Sequence, residues 1–145
     1  GDPEVSLYDN TGSANTLFAV WMAARGQTDP LATMPGAVVT NLQNYAFGVD
    51  LASNNPNVTQ AILGTTTFEA QQYRTISYRL RLGNPSLVDE IEWSQDLTTW
   101  TPAATSLTLV SETPNGDGTK LITFRINAPL NTEPKAFLRV RISLP

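Results

Sequence analysis

The 145-residue chain contains no cysteine and no histidine. Thiolate nucleophiles, Cys/His zinc sites and imidazole general bases are therefore excluded in one step. Lysine is scarce: only Lys120 and Lys135 occur, beside turns or at strand ends, without the burial that turns an amine into a base. No apolar run approaches the roughly 18 residues of a membrane-spanning helix. The net charge of −4 argues against a general affinity for nucleic acid or for anionic membrane, and insertion into a membrane is not expected. That charge is unevenly placed, since residues 1–65 hold one Arg and five acidic groups whereas residues 66–145 hold eight basic and eight acidic groups. The opening residues carry no signal-peptide pattern; for an exported chain, Gly1 is expected to be a processed N-terminus.

What is present is a two-residue hydrophobic period. In the stretch Leu87–Thr101, Leu87, Ile91 and Trp93 share one parity and Val88, Glu90, Glu92 and Ser94 the other, as in a strand with one buried face. Ile76, Tyr78, Leu80 and Leu82 alternate with Thr75, Ser77, Arg79 and Arg81 in the same way. Gly83-Asn84-Pro85-Ser86 between them reads as a hairpin turn, which would set Leu82 against Leu87, Tyr78 against Ile91 and Arg79 against Glu90. Asp89 is the exception, because parity turns it inward. Further strands are expected at 105–112, 120–126 and 136–144, and Asn115-Gly116-Asp117-Gly118 is a strong hairpin turn. Five or six strands with no helical pattern between them predict an antiparallel β-sandwich, Ig-like or jelly-roll-like, over residues 58–145.

The N-terminal third is different. Residues 1–12 predict an extended arm in which Val5 and Leu7 share a parity, followed by Tyr8 and an Asn10-Thr11-Gly12 exit. Residues 13–57 predict a two-helix segment and linker. Ala14, Leu17, Phe18, Trp21 and Met22 form one helical face, with Ser13 or Asn15 as N-cap and Gly26 as stop. A second short helix over 38–47 presents Leu42, Tyr45 and Ala46 and stops at Gly48, and Ala52 to Asn57 is the internal boundary. Asn57-Val58-Thr59 fits a glycosylation sequon.

No cluster of polar residues makes a catalytic constellation. Asp89, Glu90, Glu92 and Asp96 are the densest acids, but glycoside hydrolysis needs two carboxylates across a cleft, whereas Glu90 and Glu92 read as one solvated strand face. The Asn115–Gly118 loop has one carboxylate, too few for a hard cation. Arg74, Arg79, Arg81, Arg125, Arg139 and Arg141 alternate with apolar residues and are expected to pair with the acids of the same half. Trp93 reads as core; Trp100 and Tyr73 are the aromatic side chains available for a sugar ring or a neighbouring subunit. The expectation is a non-enzyme without cofactor or metal.

Phe18-Ala19-Val20-Trp21-Met22-Ala23-Ala24-Arg25-Gly26, Asn41-Leu42-Gln43-Asn44-Tyr45-Ala46-Phe47-Gly48-Val49-Asp50, Tyr78-Arg79-Leu80-Arg81, Ile91-Glu92-Trp93-Ser94-Gln95-Asp96-Leu97-Thr98-Thr99-Trp100 and Phe137-Leu138-Arg139-Val140 resemble the C-terminal helix-plus-β-sandwich module of large secreted proteins from environmental Gram-negative bacteria. The likeness spans residues 16–142 and rests on an "NLxEYAxG" helix and a "VEWSxDLxxW" strand and loop. That module usually carries an Asp-Gly-Asp-Gly calcium loop before the second helix, where this chain has Asp29-Pro30-Leu31-Ala32-Thr33-Met34-Pro35-Gly36. The resemblance implies export and a non-catalytic role at the cell surface. Three expectations follow: a self-assembling structural module whose arm, through Val5, Leu7 and Tyr8, adds a strand to a neighbouring copy; a carbohydrate-binding module using Trp100 and Tyr73; or a surface-attachment domain cut from a larger secreted protein. The partners expected are other copies of the chain, a cell-surface component or a polysaccharide.

Overall fold

The computed structural model describes residues 13–37, 39–49, 61–132 and 137–144, with the backbone alone for 13–15. The expected arm over residues 1–12, the linker at 52–57 and the Asn57 sequon lie outside the described residues. Two helices come first, α1 (Ser13–Ala23) and α2 (Asn41–Ala46). Strands β1 (Ile62–Phe68), β2 (Gln71–Arg81), β3 (Val88–Ser94), β4 (Thr101–Pro102), β5 (Leu107–Pro114), β6 (Thr119–Ile126) and β7 (Phe137–Ser143) follow, with a short 3-10 turn at Ala104–Ser106.

The strands form two antiparallel sheets, one of four strands in the order β1-β2-β6-β5 and one of three in the order β4-β3-β7. Their apolar faces meet in the core expected of a sandwich: Ile76, Tyr78, Leu80 and Ile122 from the first sheet, Ile91 and Ile142 from the second. In the strand expected at 136–144, Leu138, Val140, Ile142 and Leu144 share the inward parity, with Ile142 and Leu144 buried and Leu138 and Val140 packed against the core.

The hairpin expected across Gly83–Ser86 does not form. β2 is already paired on both sides, with β1 and with β6, so no edge is left for β3, which pairs with β4 and β7 in the other sheet. The turn instead carries the chain from one sheet to the other. Asn84 is buried within it and donates its side-chain amide to the Tyr45 hydroxyl of α2 at 2.8 Å, while Leu82, expected inside, is 45% exposed. Arg79 meets Asp117 rather than Glu90.

The helices close one end of the sandwich. Phe18, Trp21 and Met22 of α1 and Leu42, Tyr45 and Ala46 of α2 join the core, and the Phe18, Trp21 and Tyr45 rings pack together. Leu17 departs from the expected inward face and is 47% exposed. Both helices end in the same way: Gly26 and Gly48 take positive φ, and the following residues donate back, Gln27 to the Met22 carbonyl and Val49 to the Asn44 carbonyl. Thr40 caps α2, accepting from the Gln43 N–H while the Gln43 side chain accepts from the Thr40 N–H. At Gly48 a Cβ would collide with the Thr119 methyl of β6, so glycine here also permits the close approach of helix and sheet.

The loop between the helices is tied down by α2 itself. The Asn41 and Leu42 amides donate to the Ala32 and Pro30 carbonyls, and the Asn41 side chain donates to Gln27 at 3.0 Å and to the Asp29 carbonyl at 2.8 Å.

Candidate interaction edge

A sandwich with two open sheets has four edges, and each edge strand presents unpaired backbone N–H and C=O groups that invite another strand. Here three of the four are blunted. β5 carries a register break between Leu109 and Ser111, an ion pair from Glu112 to Lys120, and Pro114 at its end. β4 is two residues long, one of them proline. β7 is flanked by α2 and the loop before it, whose Leu31, Thr40 and Gln43 line a cleft together with Arg139 and Arg141.

The fourth edge is β1, Ile-Leu-Gly-Thr-Thr-Thr-Phe. It pairs with β2 in unbroken register from Ile62↔Ser77 to Phe68↔Gln71, and it has no charge, no proline and no bulge. Every residue in it except Thr66 is exposed, including Ile62 at 44%, Leu63 at 50% and Phe68 at 48%. Three consecutive threonines between apolar ends favour extended backbone, because β-branched side chains fit the pleat. The neighbouring strands bring positive charge alongside: Arg74 lies opposite Thr65 on β2, and Arg125 lies one strand further on, opposite Thr75.

Nothing local in the sequence marks the Thr65–Phe68 run as an edge. A run lacking charge and proline is the available signal; which strand ends a sheet is not a local property.

Of the two aromatic candidates, Tyr73 is on β2 of the four-stranded sheet and Trp100 is in the loop just before β4 of the other. Tyr73 lies half-buried on the outer face of the first sheet, where the Arg125 guanidinium sits 4.4 Å from its ring centre and 4.9 Å from that of Phe68. Trp100 is also half-buried, with the Arg139 guanidinium 4.0 Å from its ring centre. Arg139 in turn donates to Glu92 at 2.8 Å. The two acids expected on a solvated face therefore differ: Glu92 is buried, 6% exposed, and pairs directly across the ladder with its β7 partner. The structure does not bring Tyr73 and Trp100 together, and Val5, Leu7 and Tyr8 lie outside the described residues.

The loop leading to Trp100 is rigidly built. Asp96 accepts from the Thr98 and Thr99 backbone amides at 2.8 and 2.9 Å and from the Ser94 hydroxyl, and these bonds hold its carboxyl below the usual carboxylate range. Leu97 occupies the tip at φ 64 and is 59% exposed. Asp117 is likewise held low, chiefly by the Thr119 hydroxyl and then by its backbone amide, with Arg79 adding to the effect.

Among the described residues, no three His, Cys, Asp or Glu side chains gather as a metal-binding group. No described helix is long and apolar enough to cross a membrane. Comparison of the chain with protein-family models, with curated proteins and with solved structures finds no match to any of them.

Proposed function

We propose that this chain is a non-catalytic structural module of the cell exterior that joins to its own copies by strand addition, the arm of residues 1–12 of one copy adding to β1 of the next. The observation that carries this reading is the β1 edge, which carries no charge, proline or bulge and, among the described residues, has no further strand or helix against it, unlike the other three. An added strand gains a row of main-chain hydrogen bonds, and its alternate side chains supply specificity. The arm has a suitable composition: Val5 and Leu7 alternate with polar residues, and Asp2, Glu4 and Asp9 are its only charged side chains. Those acids complement Arg74 and Arg125 beside the edge. Donor and acceptor are different surfaces, so the contact is heterologous and propagates as a filament or lattice unless its rotation closes a ring. Export belongs to the proposal and rests on the sequence resemblance. Polysaccharide binding through Tyr73 or Trp100 is the weaker reading, because an arginine already stacks on each ring.

The test is assembly of the full chain, followed by sedimentation and electron microscopy. Wild-type protein is expected to form polymers. Thr65→Glu with Thr67→Glu, at two exposed edge positions, sets like charge against the acidic arm and is expected to abolish them while circular dichroism shows an unchanged fold. A wild-type chain that stays monomeric at high concentration removes the self-assembly reading; a variant that polymerises like wild type removes β1 as acceptor.

A further inference from the structure

Helix α1 carries no charged side chain: Ser-Ala-Asn-Thr-Leu-Phe-Ala-Val-Trp-Met-Ala. One face buries Phe18, Trp21 and Met22, while the other exposes Leu17 at 47% and Val20 at 62%, with Ala23 also exposed. A surface helix ordinarily sets charged or polar residues on its outer side; beside the exposed Thr16, α1 sets two large aliphatic side chains there instead. Leu17 and Val20 stand three residues apart and share one side, so a single partner can cover both.

The position of this face in the chain identifies the partner. The arm leads into α1 at Ser13, and the five residues from Tyr8 to Ser13 reach at most about 18 Å. Wherever the arm seats on a neighbouring copy, α1 of the donor must lie close to that copy's edge strand. All strand pairs described in this fold are antiparallel. An arm added to β1 in the same sense runs opposite to it, so its α1 end arrives at the start of β1. The exposed aliphatic side chain there is Ile62, 44% exposed and on the outer face with its partner Ser77, whereas Leu63 turns to the face of its partner Ile76.

We infer that the outer face of α1, through Leu17 and Val20, docks on Ile62 of a second copy of this chain and forms the second half of the intersubunit contact. This inference rests on the strand-addition reading and adds to it a side-chain contact outside the arm. Burying exposed aliphatic side chains on both partners contributes affinity that backbone pairing alone does not, and it selects the antiparallel direction of the arm.

A charge-swap cycle on the full chain, combined with a peptide competitor, tests both levels. Val20→Lys and Ile62→Glu are each expected to raise the concentration needed for assembly about tenfold, close to 1.4 kcal/mol. The double variant V20K/I62E is expected to recover most of that loss, because the ammonium introduced on each donor helix then meets the carboxylate introduced on each acceptor strand. A synthetic peptide of residues 1–12 in excess is expected to stop wild-type assembly by occupying β1. Inhibition by the peptide with single variants that assemble like wild type overturns the α1 contact and leaves strand addition standing. Single variants that both weaken assembly, with a double variant no better than either, also overturn it. Assembly unaffected by the peptide overturns the strand-addition reading and this inference with it.

Discussion

Asn44 lies at the centre of α2 with no exposed surface, and neither atom of its side-chain amide finds a partner among the described residues. Its neighbour one turn back, Asn41, is equally buried but spends its amide on Gln27 and Asp29. A buried amide left unpaired costs roughly 1–3 kcal/mol. Asn44→Leu, which keeps the branched shape and favours helix, is therefore expected to raise stability by about 1 kcal/mol or more. Urea unfolding measures it, and a loss of stability would show that the amide is satisfied. The helical face of Leu42, Tyr45 and Ala46 is legible in the sequence, but a buried Asn44 is not, since asparagine ordinarily marks an exposed position. Glu92 misleads for the same reason. Strand parity sets it on the outer face correctly; only the arrival of Arg139, with Trp100 over it, removes that face from water.

At the scale of elements, the turn from β1 to β2 has Glu69 and Ala70 at φ 49 and 65, the left-handed conformation at both positions of a two-residue hairpin. Side chains other than glycine and asparagine adopt it at a cost of roughly 1–2 kcal/mol each. Arg125, stacked near the Phe68 and Tyr73 rings on either side of that turn, is positioned to offset part of this cost. Replacing the pair by Asn-Gly, E69N/A70G, is expected to stabilise the fold by about 1–2 kcal/mol, read as an increase in Tm by calorimetry. An unchanged or lower Tm would mean that the Glu69 and Ala70 side chains contribute more than the strain removes. The absence of turn chemistry at Glu69-Ala70 also explains why this hairpin is not evident from sequence, whereas Asn115–Gly118, with φ 82 at Gly116 and 87 at Gly118, is. Conversely, Gly83–Ser86 has every residue of a tight turn, yet it bridges two sheets. Turn chemistry says that the chain bends and leaves the pairing to the rest of the fold.

For the molecule as a whole, the join between the sheets is both apolar and polar. The Tyr78 hydroxyl of the four-stranded sheet donates to Asp89 of the three-stranded one, which accounts for the carboxylate that parity sends inward. Burial, and then Asp89, push the Tyr78 hydroxyl well above the usual tyrosine range. The unfolded chain releases this proton near pH 10, while the folded chain retains it. The stabilisation is thus complete below about pH 10 and is lost progressively as the pH rises above it. Tyr78→Phe is expected to lower stability at neutral pH by about 1–3 kcal/mol, leaving Asp89 unpaired, and to flatten the alkaline decline. Unfolding measured from neutral to alkaline pH checks both; equal alkaline slopes in the two proteins would exclude Tyr78 as the titrating group.

The sequence by itself determined the class of the fold, the two helices with their stops at Gly26 and Gly48, and the inward parity of most strands. These follow from local periodicity and from backbone preferences that each residue carries with it. Tertiary structure alone decided which strands pair, which strand is left as an edge, and whether an outer-face side chain such as Glu92 meets water. Pairing is a contest among all strands for a limited number of ladders, and burial depends on what arrives from distant parts of the chain. The β1 edge and the exposed aliphatic face of α1 belong to this second kind. Their residues are uncharged in the sequence, but which of them stay exposed is decided only once the other surfaces have been taken.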